Sequence, residues 1–421
     1  MTPTERTGRF SPELRASLYQ FTVFAATGAG SAYYAIWMTG KGLSAGEIGI
    51  VNAVPVLIML VVNMIIGRLA DRASDWKVTV VILSLIAGVA PIGYFFVNDF
   101  WTLLLVFTAC SVPSGALVPV IDAATLRMTQ RRGTDFGFVR AWATVGYTAT
   151  AALTGLLIGW FGPSAFVPAF VVFSLVRAVL AFPLPQFRAP PTVDLPVRKG
   201  EAKLSSLMQP WFLLPCIAFA LIQSTHFFLG AMGSLVWRID GVGEGWFGPL
   251  IAIGAGGEAI MMFFWRRIGT HMSARTMLII AGVVAAGRWV GMAFSPPLWV
   301  LFGLQALHAI TLPFSYFGIM HFIANWAPEE IAAEAQGFSS AMTQGFSVVT
   351  LLVFGWLVGF MGGGAYFVAG GMAAAAAAAA WWSMALRPVL ISRDRVSIRA
   401  TLSAVSSSRS RAASSASCCR R

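Results

Sequence analysis

The chain has 421 residues, 57% of them hydrophobic and only 11% charged, with a mean hydropathy of +0.75. Soluble domains average roughly 45–50% apolar and about 25% charged residues, so this chain cannot cover a water-facing globule and belongs in a bilayer. The net charge of +12 does not point to nucleic acid, because the basic residues fall in short runs between apolar blocks, as they do in membrane loops.

In chain order, twelve stretches are apolar and long enough to cross hydrocarbon: 15–38, 47–68, 77–97, 100–124, 141–161, 164–183, 211–236, 246–265, 275–294, 298–323, 337–359 and 364–386. Pro55, Pro91, Pro113 and Pro313 interrupt some of them, which membrane helices tolerate. Residues 1–14 form a polar N-terminus without a cleavable signal pattern. The longest loop, 184–209, is Pro-rich and charged and divides the spans six and six, into halves over 15–183 and 210–388. The Ser/Arg-rich tail over 389–421 has no apolar period and is expected to be a disordered basic segment. Cys110 and Cys216 lie in apolar blocks and Cys418 and Cys419 at the far end, so neither a disulfide framework nor a metal site can be built, and no cofactor is expected.

Basic residues set the orientation. Arg68, Arg72 and Lys77, then Arg127, Arg131, Arg132 and Arg140, then Arg188, Arg198, Lys199 and Lys203, then Arg266, Arg267 and Arg275 fall in one set of loops. The other set offers only Lys41 and Arg238. The positive-inside rule puts the first set, and both termini with it, in the cytoplasm of a multi-pass plasma-membrane protein. The acidic loop NWAPEEIAAE, before the eleventh span, is the exception.

An internal repeat supports two related halves. Aligned at an offset of 200, residues 137–162 and 337–362 share Gly137/Gly337, Phe138/Phe338, Ala141/Ala341, Thr150/Thr350, Gly155/Gly355, Leu157/Leu357, Gly159/Gly359 and Gly162/Gly362. This pairs the fifth span with the eleventh, as a six-plus-six duplication requires. Repeated halves around a midplane site are the usual plan of secondary transporters.

Four ionisable residues of the second half, His226, Glu258, Arg288 and His308, lie far from either end of their spans. A charge at the bilayer centre costs about 2.5–3.5 kcal/mol even on insertion scales, so such groups should face a cavity and pair. Gln223 with His226, and Gln305 with His308, stand three positions apart, and Thr311 and Ser315 continue the second stripe. Gly254 and Gly257 leave room beside Glu258 for a partner helix or ligand. Each histidine could instead be a neutral core residue satisfied by its glutamine, and Glu258–Arg288 a purely structural pair. In the functional reading, Glu258 takes up a proton in one state and releases it in another, and His226 and His308 relay it or hydrogen-bond substrate. Arg288 grips a substrate carboxylate bidentately. In the first half, Tyr34, Tyr147 and Asn52 are the weaker substrate-binding candidates, and Arg177 is expected to snorkel toward an interface.

Between the second and third spans stands Gly67-x-x-x-Asp71-Arg72, which resembles the signature of the major facilitator superfamily, the lysine at 77 standing somewhat late. Asp122-Ala-Ala-Thr-Leu, then Phe136-Gly-Phe-Val-Arg140-Ala-Trp and Gly146-Tyr147, resemble the phenylpropionate permease family near the lactose permease group, with Phe136 where a tyrosine is usual. Gln223-x-x-His226, Glu258, Arg288-Trp289 and Leu304-Gln305-x-Leu307-His308 resemble the same family. The resemblance implies an all-α membrane protein of twelve helices in two six-helix halves, and a proton-coupled importer of a small organic acid, such as an aromatic monocarboxylate. Its expected partners are the substrate, protons and the bilayer, and it is expected to act as a monomer. Asp122 and Arg140, flanking the cytoplasmic loop of spans four and five, could latch the outward-open state by a salt bridge or be a solvated loop pair. Alternatives are a sugar or nucleoside symporter, a drug antiporter (whose G-P-x-x-G-G turn is missing from the fifth span), or a non-transporting sensor. An intramembrane hydrolase lacks support, because neither H-E-x-x-H nor G-x-S-x-G occurs.

Overall fold

The computed structural model describes residues 10–187, 204–268, 272–327 and 331–386. Most of the N-terminus, the greater part of the central loop and the basic tail lie outside the described residues. Thirteen α-helices follow one another: α1 (Pro12–Gly40), α2 (Ala45–Arg72), α3 (Trp76–Val89), α4 (Phe100–Arg132), α5 (Phe136–Phe161), α6 (Phe166–Ala181), α7 (Pro210–Ile239), α8 (Phe247–Ile268), α9 (Ala274–Ala293), α10 (Leu298–Ala306), α11 (His308–Trp326), α12 (Ala332–Met361) and α13 (Ala365–Ala385). Helices α10 and α11 are two pieces of one span, which brings the crossings to twelve. Among the described residues nine stretches are long and apolar enough to span a membrane by themselves, and one of them, Glu334–Ala385, takes in both α12 and α13.

Starts are written locally. Ser11, Ser44, Asp75, Asp135 and Ser273 each accept a backbone N–H from the first turn of the helix that follows, and Glu47 completes a capping box with Ser44. Prolines inside spans leave carbonyls without donors, and arginines fill two of them. Pro91 denies an N–H to the carbonyl of Ala87, which accepts instead from Arg177 Nη2 at 2.6 Å. Pro215 does the same to Trp211, whose carbonyl accepts from Arg275 Nη2 at 3.4 Å. Arg177 therefore does not snorkel: it is buried in the first half's core, and its Nη1 donates to Ser114 at 3.1 Å. The tenth span breaks at Leu307, with Pro313 a turn and a half beyond, where its ring crowds the carbonyl of Ala309.

The halves pack by a two-fold plan. Helix α5 packs on α8 of the other half, and α12 packs on α2 in the equivalent arrangement. Gly155 and Gly355, matched in the sequence repeat, sit at equivalent points of these contacts. A Cβ at Gly155 would lie 3.4 Å from the carbonyl oxygen of Gly245, and one at Gly355 would lie 2.9 Å from that of Ala45. Both partners are themselves related by the offset of 200.

With an even number of crossings the start of α1 and the end of α13 share one end of the bundle, called the terminal end. At the opposite end a single buried core joins both halves, including Tyr33, Val51 and Phe166 from the first and Trp237, Phe247 and Phe354 from the second. At the terminal end the buried cores are separate. One holds only first-half residues, such as Tyr19, Trp76, Leu117 and Phe187. The other holds only second-half residues, such as Phe212, Phe219, Met277 and Phe322. The halves are thus joined away from the termini and part toward them.

Candidate functional site

The second half gathers its midplane polar groups onto Arg288. Helix α9 carries Arg288, α7 carries His226, α8 carries Glu258, and the broken span presents Gln305 from α10 and His308 and Thr311 from α11. Arg288 Nη2 donates to Gln305 Oε1 at 2.5 Å, and Nη1 lies 3.2 Å from His308 Nδ1 and 3.4 Å from Thr311 Oγ1. Beneath the guanidinium, 4.5 Å away, lies the Trp289 ring, which stacks on Tyr366 and donates its indole N–H to Thr225 at 3.1 Å.

A guanidinium only donates, and this fixes the tautomers by the network. His308 Nδ1 must offer its lone pair to Arg288, so its proton resides on Nε2, which faces Glu258 Oε2 at 3.6 Å. His226 Nδ1 donates to the carbonyl of Ile222 at 2.8 Å, so its Nε2 accepts from the Thr311 hydroxyl at 2.8 Å. The chain of donors runs from Arg288 inward through Thr311 and His226 to Ile222, and on the other side it ends at His308, whose Nε2 faces Glu258 beyond hydrogen-bond distance.

Burial separates the roles. Arg288 is 0% exposed and His226 8%, whereas the side chains of Glu258 and His308 are 23% and 16% exposed. The direct bidentate grip of Arg288 on a substrate carboxylate, expected from the sequence, would need an accessible guanidinium, and Arg288 is fully buried in this conformation. Its Nη1 instead contacts His308 Nδ1, which leaves the other ring nitrogen of His308 facing Glu258. Gln305 and His308 reach Arg288 not as neighbours along one regular helix but from either side of the break at Leu307. Gln223 is half-buried and takes no part in the network, so it does not satisfy His226. Gly257 lets α8 approach closely, since a Cβ there would stand 3.0 Å from that of Ala309.

The first half supplies the facing wall. Arg140 Nε donates to Asp122 Oδ2 at 3.1 Å and lies 3.0 Å from Oδ1, which accepts from Gln20 Nε2 at 2.9 Å. The guanidinium lies 4.5 Å over Phe24. Asp122 does not stand at the end of its helix, because α4 continues to Arg132, where a further pair to Glu13 closes at 2.5 Å. Arg140 and Tyr147, both on α5, lie within electrostatic reach of Glu258 across the division between the halves. Tyr147 bonds Ser31 at 2.9 Å. Tyr34 sits apart, its ring among Tyr94, Phe107, Phe166 and Phe170 at 5.0–5.8 Å. Asn52 donates to its own helix at Ile48, 2.8 Å away. Gly67, Asp71 and Arg72 occupy the last turns of α2, and their side chains lie outside the described residues. Sequence reasoning missed Gln20, Thr225 and Tyr366, which are uncharged and stand out by no spacing.

This arrangement has counterparts. The chain is 27% identical over 362 residues to a probable 3-phenylpropionic acid transporter of Escherichia coli, covering 83% of this chain and 92% of that one. It is 24% identical over 347 residues to a maltose permease of Geobacillus stearothermophilus, covering 81% and 86%. Its fold is like that of the crystal structure of the nucleoside transporter NupG, with a TM-score of 0.71 at 17% identity, covering 89% of this chain and 99% of that one. The family model described as MFS_1 like matches residues 14–370. The chain therefore belongs to the MFS_1 like family, and is a multi-pass membrane protein and secondary transporter of the major facilitator type.

Proposed function

We propose that the protein takes up a small organic anion together with a proton by alternating access, with the terminal end of the bundle in the cytoplasm. The observation that carries this reading is the pairing of Glu258 and His308, partly exposed on one wall, with Arg140 facing them from the other. Glu258 is the proton site. Arg140 lies within electrostatic reach of it from the other half, and its imidazole partner is held as a donor by Arg288. A substrate carboxylate competes with Asp122 for Arg140 and accepts the N–H of His308. A proton on Glu258 removes the charge that would repel it. Proton plus anion is a neutral load, so a one-to-one cycle moves no net charge, and a membrane potential does work only on net charge. The likeness to a probable 3-phenylpropionic acid transporter supports an organic acid as the substrate.

Uptake into proteoliposomes should follow an imposed pH gradient and ignore an imposed potential. Glu258→Gln should abolish uphill accumulation yet permit counterflow of preloaded substrate. Accumulation driven by potential alone, or uphill uptake by the Glu258 variant, overturns the mechanism. A second reading, a nucleoside or sugar symporter, is favoured by the Gln20–Asp122–Arg140 cluster, which offers both donors and acceptors to hydroxyl groups. Competition by nucleosides or sugars, and none by carboxylates, would select it.

A further inference from the structure

Helix α7 is the most enclosed of the candidate spans, with 61% of its window buried. Along it, between the ends, one large apolar side chain is exposed: Phe227, at 45%. Its neighbours on either side point inward, His226 into the Arg288 network and Phe228 onto Phe354 and Tyr366 at 4.4 and 5.1 Å. One turn beyond Phe227, on the same side of α7, Ala231 packs against a small core shared by both halves, made of Ala53, Val56 and Leu351. Phe227 therefore lies on the face that meets the first half, at the level where the two halves separate. There is space beside it. Gly230 is exposed, and a Cβ placed there would meet nothing within 4 Å. Among the described residues the Phe227 ring makes no aromatic contact, and Gln223 on the preceding turn is half-buried.

A lipid-facing phenylalanine needs no explanation, but one on a central helix turned toward the partner half lies in the cavity, where water is a poor neighbour for it. We infer that Phe227 is the apolar wall of the substrate site and determines specificity, so that the transported anion carries an apolar, ring-sized group beside its carboxylate. The carboxylate is held at Arg140 and His308, and the apolar group covers Phe227 and fills the space at Gly230. This inference rests on the organic-anion reading above, and it adds that acids without an apolar group are poor substrates.

The test uses the full chain in proteoliposomes and measures the affinity of 3-phenylpropionate and of propionate as competitors. Wild type should prefer 3-phenylpropionate by on the order of tenfold or more, as an apolar contact of this size can supply. Phe227→Ala should weaken 3-phenylpropionate about tenfold and propionate less than about twofold, and Phe227→Leu should fall between. Retained propionate binding by Phe227→Ala shows that the variant is folded. If both acids weaken equally in both variants, or neither changes, Phe227 is not the wall. A wild type that binds both acids alike overturns the apolar wall alone. A wild type that binds no carboxylate overturns the anion reading on which it stands.

Discussion

Thr311 shows what one hydroxyl does in this protein. It is fully buried, accepts from Arg288 and donates to His226, and so joins the two branches of the network. Thr311→Val keeps the shape and removes both bonds, leaving His226 Nε2 only the long 3.5 Å contact with Arg288 Nη1. Single interhelical hydrogen bonds in bilayers average about 0.6 kcal/mol, while an orphaned buried polar group costs about 1–3 kcal/mol. The second effect governs here, so the variant should lose about 1–2 kcal/mol, seen as a lower melting temperature in detergent. An unchanged melting curve would show that the network does not hold the second half together. The ionisable members of this site were legible in the sequence because a charge in hydrocarbon demands a reason. Their division of labour was not. Arg288 and Glu258 look equally deep by counting residues, and only packing shows that one is enclosed and the other partly exposed.

At the scale of the helices, the spans, the six-and-six division and the repeat could all be read from hydropathy, loop charge and the offset of 200. The break at Leu307 could not: Pro313 announces a disturbance, but where a helix yields depends on what its neighbours provide. Arg177 is the same lesson. By distance from its span's end it looks like a snorkelling residue, yet the carbonyl that Pro91 leaves free draws it inward. This coupling can be measured. Arg177→Met orphans the Ala87 carbonyl and the variant should be less stable. Pro91→Ala restores an N–H in the place where the guanidinium had donated. In the Pro91→Ala background, Arg177→Met should therefore cost about 1 kcal/mol less than in the wild-type background. Strict additivity of the two changes in thermal melts would mean that Arg177 serves some other purpose.

For the whole molecule, function requires that the closed end be only slightly more stable than its open alternative, since a transporter locked in one state carries nothing. The join away from the termini is largely apolar, and one of its buried hydroxyls bonds across the halves. Tyr33, on α1 of the first half, donates to the carbonyl of Glu244 at 3.0 Å and accepts from the N–H of Gly248 at 3.3 Å, both in the second half. Gly155 makes room for that hydroxyl, because a Cβ there would stand 2.8 Å from it. Tyr33→Phe preserves the ring packing against Phe166 and Phe247 and deletes only the bonds across the halves. Each net hydrogen bond is worth about 0.5–1.5 kcal/mol, so losing both should move the equilibrium by about five- to a hundredfold toward the state opened at that end. Spin labels on cysteines placed at Lys41 and Val242, in the loops that follow α1 and α7, would report it as a growing long-distance component. The packing of each half alone should be unaffected, so the melting temperature should change little while the distance distribution shifts. A distribution identical to wild type would mean that apolar packing alone holds this end shut, and that the hydroxyl is merely accommodated there.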